Sequence, residues 1–346
     1  MNLNIIYAVG AAALFGVSTP LAKVLGLDLS PILLAGLLYL GSGLGLTLVR
    51  LIHDRCWKPS GLKPSEWPWL IGAIALGGVL APVALMFGLT LTSGATASLM
   101  LNLESVLTAV LAWVVFKENA DRRIVAGMLA IVAGGLLLAW PQDSAQPQGW
   151  LGPLMVALAC ACWAIDNNLT RKVSASDALF IAGIKGLVAG MVNCSLALSL
   201  GAKMPQITVL ASTLAVGFLG YGISLVLFVL ALRGLGTART GAYFSTAPFL
   251  GAAIAILLLG EPVSLTFWLA SLLMGLGVWV HLKENHDHDH QHVALKHGHR
   301  HVHDEHHQHE HSFRWDGTEP HSHEHEHMPI RHSHPHFPDI HHRHKH

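Results

Sequence analysis

Charge is scarce in this chain: only 12% of its 346 residues are Asp, Glu, Lys or Arg, against roughly 25% in soluble globular proteins. That deficit, beside 52% hydrophobic residues, excludes an ordinary water-soluble fold. Cysteine is scarce too. Cys56, Cys160, Cys162 and Cys194 are scattered, three of them inside apolar runs, so no disulfide framework is expected. Cys160 and Cys162 stand two apart and would point to different faces of a helix, a poor metal pair. No continuous basic stripe exists, which excludes nucleic-acid binding. No loop holds a paired acid and base or an activated nucleophile, so the chain is not read as an enzyme. Histidine is almost absent before residue 286, yet 23 of the 25 histidines fall between His286 and His346. The formal net charge of zero is a cancellation: residues 1–280 hold 14 Lys/Arg against 10 Asp/Glu, and residues 281–346 hold 7 against 11.

Long apolar runs are what the chain has in abundance. A hydrocarbon layer about 30 Å thick takes about 20 apolar residues of helix to cross. By that measure the sequence predicts ten transmembrane helices, near 3–26, 31–52, 67–90, 93–116, 124–140, 150–170, 177–201, 207–232, 237–260 and 264–282, the fifth being short. The runs are apolar all round, so helices rather than barrel strands satisfy the backbone within each segment. The first run is too long for a cleaved signal and lacks a basic leader, so it reads as a span. Arginine and lysine in short loops favour the cytoplasm. One alternate set of loops holds Arg50, Arg55, Lys58, Lys63, Lys117, Arg122, Arg123, Arg171, Lys172, Arg233 and Arg239; the other offers Lys23 and Lys203. Both termini are therefore expected in the cytoplasm.

The spans repeat. Phe15-Gly16-Val17-Ser18-Thr19-Pro20-Leu21-Ala22-Lys23 overlays Trp163-Ala164-Ile165-Asp166-Asn167-Asn168-Leu169-Thr170-Arg171, and the fourth and ninth spans are each followed by an acidic residue, Glu118 and Glu261. The expected fold is an all-α integral membrane protein of ten transmembrane helices in two inverted five-helix repeats, residues 1–141 and 149–283, with a disordered His-rich tail at 284–346. Because five is odd, the second repeat enters the membrane from the opposite side, an arrangement used for alternating access around a midplane site.

On these residues the sequence resembles the drug/metabolite transporter superfamily, in particular its EamA-type ten-span members. The likeness covers about residues 3–283. It implies an inner-membrane secondary carrier, an exporter of small metabolites, amino acids or toxic compounds driven by protons, with the lipid bilayer, a small-molecule substrate and protons as partners. One departure stands out: Pro248 in the ninth span is matched in the fourth by Glu104-Ser105, which marks a subgroup.

Ionisable side chains inside lipid are costly and mark function by default. Glu104 lies near the middle of the fourth span, Lys185 a third of the way into the seventh, and Asp166 towards the cytoplasmic end of the sixth. Glu104 is expected to carry the coupling proton with Lys185 as its counter-ion. Asp166 and Asn167 are expected to hold polar substrate groups, with Asn102 also on the pathway. The alternatives are a static Glu104–Lys185 pair that fixes packing, and an Asp166 hydrated at the helix end beside Arg171 and Lys172. Tyr39, Trp163, Asn193 and Tyr221 suit helix–helix hydrogen bonds; Trp67 and Trp69 suit the membrane interface. Glycines from Gly41 to Gly45 and from Gly183 to Gly190 suit close helix packing.

No cofactor is required. The tail alternates histidine with acidic residues, as in His286-Asp287-His288-Asp289-His290-Gln291-His292 and His321-Ser322-His323-Glu324-His325-Glu326-His327, good ligands for divalent metal. With so few apolar residues it is expected to be disordered and to chelate diffusely through His286, His288, His290, His292, His321, His323, His325 and His327. Two other functions therefore stand beside metabolite export: a divalent-metal (Ni, Co or Zn) efflux carrier, and a metal-responsive membrane sensor.

Overall fold

The computed structural model describes residues 3–54, 60–116, 122–140, 149–173, 176–282, 287–291, 295–301, 321–327 and 331–335. Its membrane part is helical throughout: α1 Leu3–Leu25, α2 Pro31–Asp54, α3 Trp67–Ala73, α4 Ala81–Leu91, α5 Gly94–Met100, α6 Asn102–Phe116, α7 Arg122–Ala139, α8 Leu151–Val173, α9 Ala178–Ser199, α10 Ile207–Val216, α11 Ser224–Phe244, α12 Ala247–Leu257 and α13 Leu265–Leu282. Seven segments among the described residues are long and apolar enough to cross a bilayer. The apolar stretches Val125–Ala139 and Leu265–Val280 are shorter, and α8 carries Asp166, Arg171 and Lys172. Glu118 lies outside the described residues.

Four of the expected spans are not simple α-helices. Seven residues of π-helix, Ile74–Leu80, join α3 to α4, and seven more, Gly217–Ile223, join α10 to α11. Pro82 follows the first of these; lacking an N–H, it cannot donate back to its own helix, and the wider turn absorbs the defect. The fourth span breaks at Leu101, between α5 and α6. The expected loop between the eighth and ninth spans is instead helical backbone, and the break there comes at Ser245 and Thr246.

The helices pack in a pattern that exchanges the two repeats. The most extensive pairings are α2 with α9, α7 with α13, α1 with α11 and α12, and α8 with α4 and α6. Second helix meets second helix and last meets last, while the first helix of each repeat lies against helices of the other. Glycine makes the central crossing possible: a Cβ at Gly36 would come within 2.7 Å of the Cys194 backbone, and one at Gly190 within 2.5 Å of Leu40. Backbones at that separation gain dispersion contacts that lipid tails do not supply, as the two glycine clusters led one to expect. Trp67 and Trp69 are exposed, consistent with an interfacial position.

Beyond residue 286 four short segments are among the described residues. β1 Asp287–Gln291 pairs antiparallel with β4 Arg331–Pro335, and β2 Leu295–His301 with β3 His321–His327. The register sets His297 opposite His325, His299 opposite His323 and His301 opposite His321. Ladders of this kind use backbone groups and so need no apolar core, although a two-stranded ribbon alone is marginal in water.

Candidate functional site

The site is built on α8, whose side chains reach two neighbours along two stripes. Positions 160 and 167, two helical turns apart, face the broken fourth span. Cys160 Sγ lies 3.7 Å from the Met100 carbonyl oxygen, and Asn167 Nδ2 donates to Glu104 Oε1 at 2.8 Å, with Thr108 Oγ1 at 3.5 Å. Positions 163, 166 and 170 turn towards the first π-turn and α9. Trp163 Nε1 donates to the Gly77 carbonyl at 3.0 Å, Asp166 Oδ2 accepts from Lys185 Nζ, and Thr170 Oγ1 donates to Asp166 Oδ1 at 2.9 Å.

The π-turn matters because its backbone does not form an ordinary ladder, so its carbonyls become available to side chains. Gly77 O takes a second hydrogen bond, from Tyr39 Oη at 2.7 Å, and Val79 O accepts from Asn193 Nδ2 at 3.3 Å. Tyr39, Trp163 and Asn193 thus do tie helices together, to carbonyls that the sequence did not reveal. A ring of aromatics closes the centre. Phe15 meets Trp163 edge-on at 5.9 Å and Tyr221 at 5.8 Å, and Tyr221 lies 5.4 Å from Tyr39. Phe15 and Trp163 are the residues that overlay in the two repeats.

Glu104 occupies the first turn of α6, just past the break, its own N–H bonded to Leu101 O at 3.0 Å, at the helix end that favours a carboxylate. It is half-buried, and Asp166 and Lys185 lie within electrostatic reach. Asn102 is buried, its Nδ2 donating to Leu99 O at 3.1 Å; its Oδ1 has no hydrogen-bond partner among the described residues.

Two expectations are corrected. Lys185 bonds to Asp166, not to Glu104, because the α8–α9 packing brings residues 166 and 185 together while Glu104 meets the Asn167 face. Asp166 is not hydrated at a helix end: it is 3% exposed, since Gly77 lets α8 sit directly against the π-turn, where a Cβ at Gly77 would come within 2.6 Å of Asp166 Cβ. Of the five pathway residues, Glu104 on α6 is bonded to Asn167 on α8 and Lys185 on α9 to Asp166 on α8, whereas Asn102 on α6 bonds back to Leu99 O.

Several contributors were not singled out from sequence. Gly77 and Thr108 are ordinary residues until packing gives them partners. Arg50, counted only as a loop charge, is 4% exposed, stacks over Phe180 at 5.3 Å and bonds through Nε to Asp177 Oδ2 at 2.8 Å. Of the tail histidines, His286 and His292 lie outside the described residues, His288 and His290 lie in β1, and His321, His323, His325 and His327 lie in β3. No cluster of three or more His, Cys, Asp or Glu suited to a metal occurs among the described residues.

Comparison with known proteins places this geometry. An uncharacterized transporter from Methanothermobacter thermautotrophicus is 27% identical over 78% of this chain and 83% of its own. An uncharacterized transporter from Bacillus subtilis, YyaM, is 26% identical over 69% and 80%. A probable 4-amino-4-deoxy-L-arabinose-phosphoundecaprenol flippase subunit, ArnE, from Pseudomonas aeruginosa is 40% identical over 31% of this chain and 93% of its own, a stretch of 111 residues, shorter than one repeat. A solved crystal structure shares the fold with a TM-score of 0.64 at 19% identity, over 80% of this chain and 94% of that one. The EamA-like transporter family matches residues 2–140 and again 150–282, so that both repeats are covered in turn, and this chain is a multi-pass membrane protein that belongs to that family.

Proposed function

We propose that this transporter is a secondary active, proton-coupled exporter of a small metabolite, amino acid or toxic compound. Ten spans in two inverted repeats of an inner membrane, with both termini in the cytoplasm, alternate access to the Glu104 site. The observation that carries the reading is the placement of Glu104 at the break of a discontinuous span, bonded to a neutral amide of the other repeat. Half-helix ends of this kind build transporter sites near the midplane. Lys185 is engaged by Asp166, which leaves the Glu104 carboxyl free to exchange a proton for substrate.

Asp166 and Lys185 act in this reading as the fixed polar floor of the site, and Asn167 couples it to Glu104. Carboxyl groups outnumber amines two to one in the cluster, which suits a proton or an amine-bearing solute, and the ring of Phe15, Trp163 and Tyr221 suits an apolar body beside it. The ArnE relative, whose named substrate bears an amino sugar, is in keeping with that chemistry. Divalent metal is assigned to the tail as an accessory, where it buffers or senses and does not pass through the spans.

The test is Glu104→Gln in proteoliposomes. Solutes that raise the thermal midpoint of the purified full chain are first selected, and their flux is then driven by an imposed pH gradient. The wild type accumulates solute against its gradient and the variant only equilibrates it. Uphill transport by Glu104→Gln with unchanged pH dependence would overturn the proton-carrier role.

A further inference from the structure

Where α1, α5 and α12 cross, buried oxygen acceptors lack the donors that their positions would ordinarily give them. Gly251 on α12 marks the crossing: a Cβ there would stand 2.7 Å from the Gly16 carbonyl oxygen of α1 and 2.8 Å from Ser98 Oγ of α5. Pro20 follows Gly16 by one turn of α1 and has no N–H to return to that carbonyl. Ser98 is 1% exposed, and its hydroxyl has no partner among the described residues. Thr19, one turn along α1 from Gly16, is as deeply buried, and its Oγ1 is likewise without a partner. A helical threonine can bond back to the carbonyl four residues earlier, but Ser18 Oγ already donates to that group, Phe15 O, at 2.6 Å.

Asn102 supplies a fourth acceptor. Leu101 keeps right-handed helical angles, φ −60° and ψ −16°, so Asn102 stands one turn beyond Ser98 on the same face. The bond from Nδ2 to Leu99 O fixes the orientation of the amide, which turns Oδ1 the other way, where no donor meets it among the described residues. The two helices run antiparallel. Lys23 at the end of α1 meets the Thr92 carbonyl just before α5, and further in, Gly16 and Ser98 meet at Gly251. Gly16 and Thr19 therefore lie beside Ser98 and Asn102 over one turn of each helix.

The chemistry of the set selects its occupant. All four groups are neutral oxygens. Calcium and magnesium draw on carboxylates, and zinc and its neighbours on His and Cys; none of these belongs to the set. No member titrates near neutral pH, so the set does not hold a proton. A small monovalent cation that exchanges its water for carbonyl, hydroxyl and amide oxygens satisfies all four.

We propose that Gly16 O, Thr19 Oγ1, Ser98 Oγ and Asn102 Oδ1 form a sodium site at the seam of the two repeats, separate from Glu104. The helices α1 and α5 belong to the first repeat and α12 to the second, so an ion held at their crossing favours the arrangement in which the three are together. The site goes beyond the proton-carrier reading and does not depend on it.

Thermal unfolding of the purified full chain in chloride salts of equal strength tests the site, with sodium as the probe and choline as the inert reference. The wild-type midpoint is expected to rise saturably with sodium, as for any ligand that binds only the folded state. Thr19→Val and Ser98→Ala are each expected to weaken the apparent sodium affinity by about tenfold. Pro20→Ala removes no oxygen but returns an N–H to Gly16 O, and is expected to weaken sodium to a similar degree without lowering the midpoint in choline. Glu104→Gln is expected to keep the sodium response, so failure of the proton site and failure of the ion site read differently. Equal midpoints in sodium and choline would mean that buried water fills the gap and would overturn the proposal, as would a sodium response that survives all three substitutions. Pro20→Ala decides the matter if a hydroxyl variant does not fold, because alanine suits the helix.

Discussion

Asp166 packs against the α-carbon of Gly77 so closely that a methyl group at Gly77 would overlap its side chain, with Asp166 Cβ 2.6 Å away. This contact lets α8 seat Asp166 beside Lys185 and Trp163 beside the Gly77 carbonyl at once. Because the colliding atoms include Cβ, a rotamer change of Asp166 does not relieve the clash.

Gly77→Ala is therefore expected to cost about 1–3 kcal/mol, the range for overpacking, and to separate α8 from the π-turn. Thermal unfolding of the detergent-purified protein measures the cost. A variant as stable as wild type would mean that the contact is not close.

Breaking the ion pair is expected to cost more than removing it. Lys185→Met or Asp166→Leu alone leaves a buried charge without its partner, worth about 3–5 kcal/mol. The double variant is expected to recover much of that loss. Chemical denaturation of the three proteins gives the coupling. Additive single losses would mean that Asp166 and Lys185 act independently in the folded protein.

Asp177 has two tasks at the start of α9. One oxygen accepts from Leu179 N at 2.9 Å and Phe180 N at 3.3 Å, and the other bonds to Arg50. Asp177→Asn keeps capping capacity but loses the ion pair, whereas Asp177→Ala loses both. Asp177→Ala is expected to exceed Asp177→Asn by about 0.5–2 kcal/mol, the worth of a cap. Equal losses would show that capping contributes nothing.

Removal of residues 286–346 is expected to leave the thermal midpoint of the helical part unchanged, because each tail strand makes its extensive contacts with another tail strand. Calorimetric titration with Zn(II) is expected to lose a set of weak sites with the tail. Full zinc binding by the truncated protein would place the metal in the spans instead.

Glycine placement, the two-repeat order and the broad helical class were legible in the sequence, because lipid imposes helix on any long apolar run and small residues mark close crossings. The candidate site was legible only as residue types. Glu104, Asp166 and Lys185 stood out because charge in an apolar run is rare, but their pairing was not readable. Residues 104 and 185 each lie on a helix whose rotation decides which neighbour it meets, and apolar sequence hardly fixes that rotation.

The sequence by itself determined that this chain spans a membrane, that it does so twice over in related halves, and that a few polar groups sit at unusual depth. Only the tertiary structure decided that Lys185 belongs to Asp166 and Glu104 to Asn167, and that the first π-turn and the broken fourth span offer backbone groups to side chains. The reason is physical. Hydrophobic matching acts on each span separately and can be read along the chain, whereas hydrogen bonds at the centre depend on where helices from opposite repeats meet.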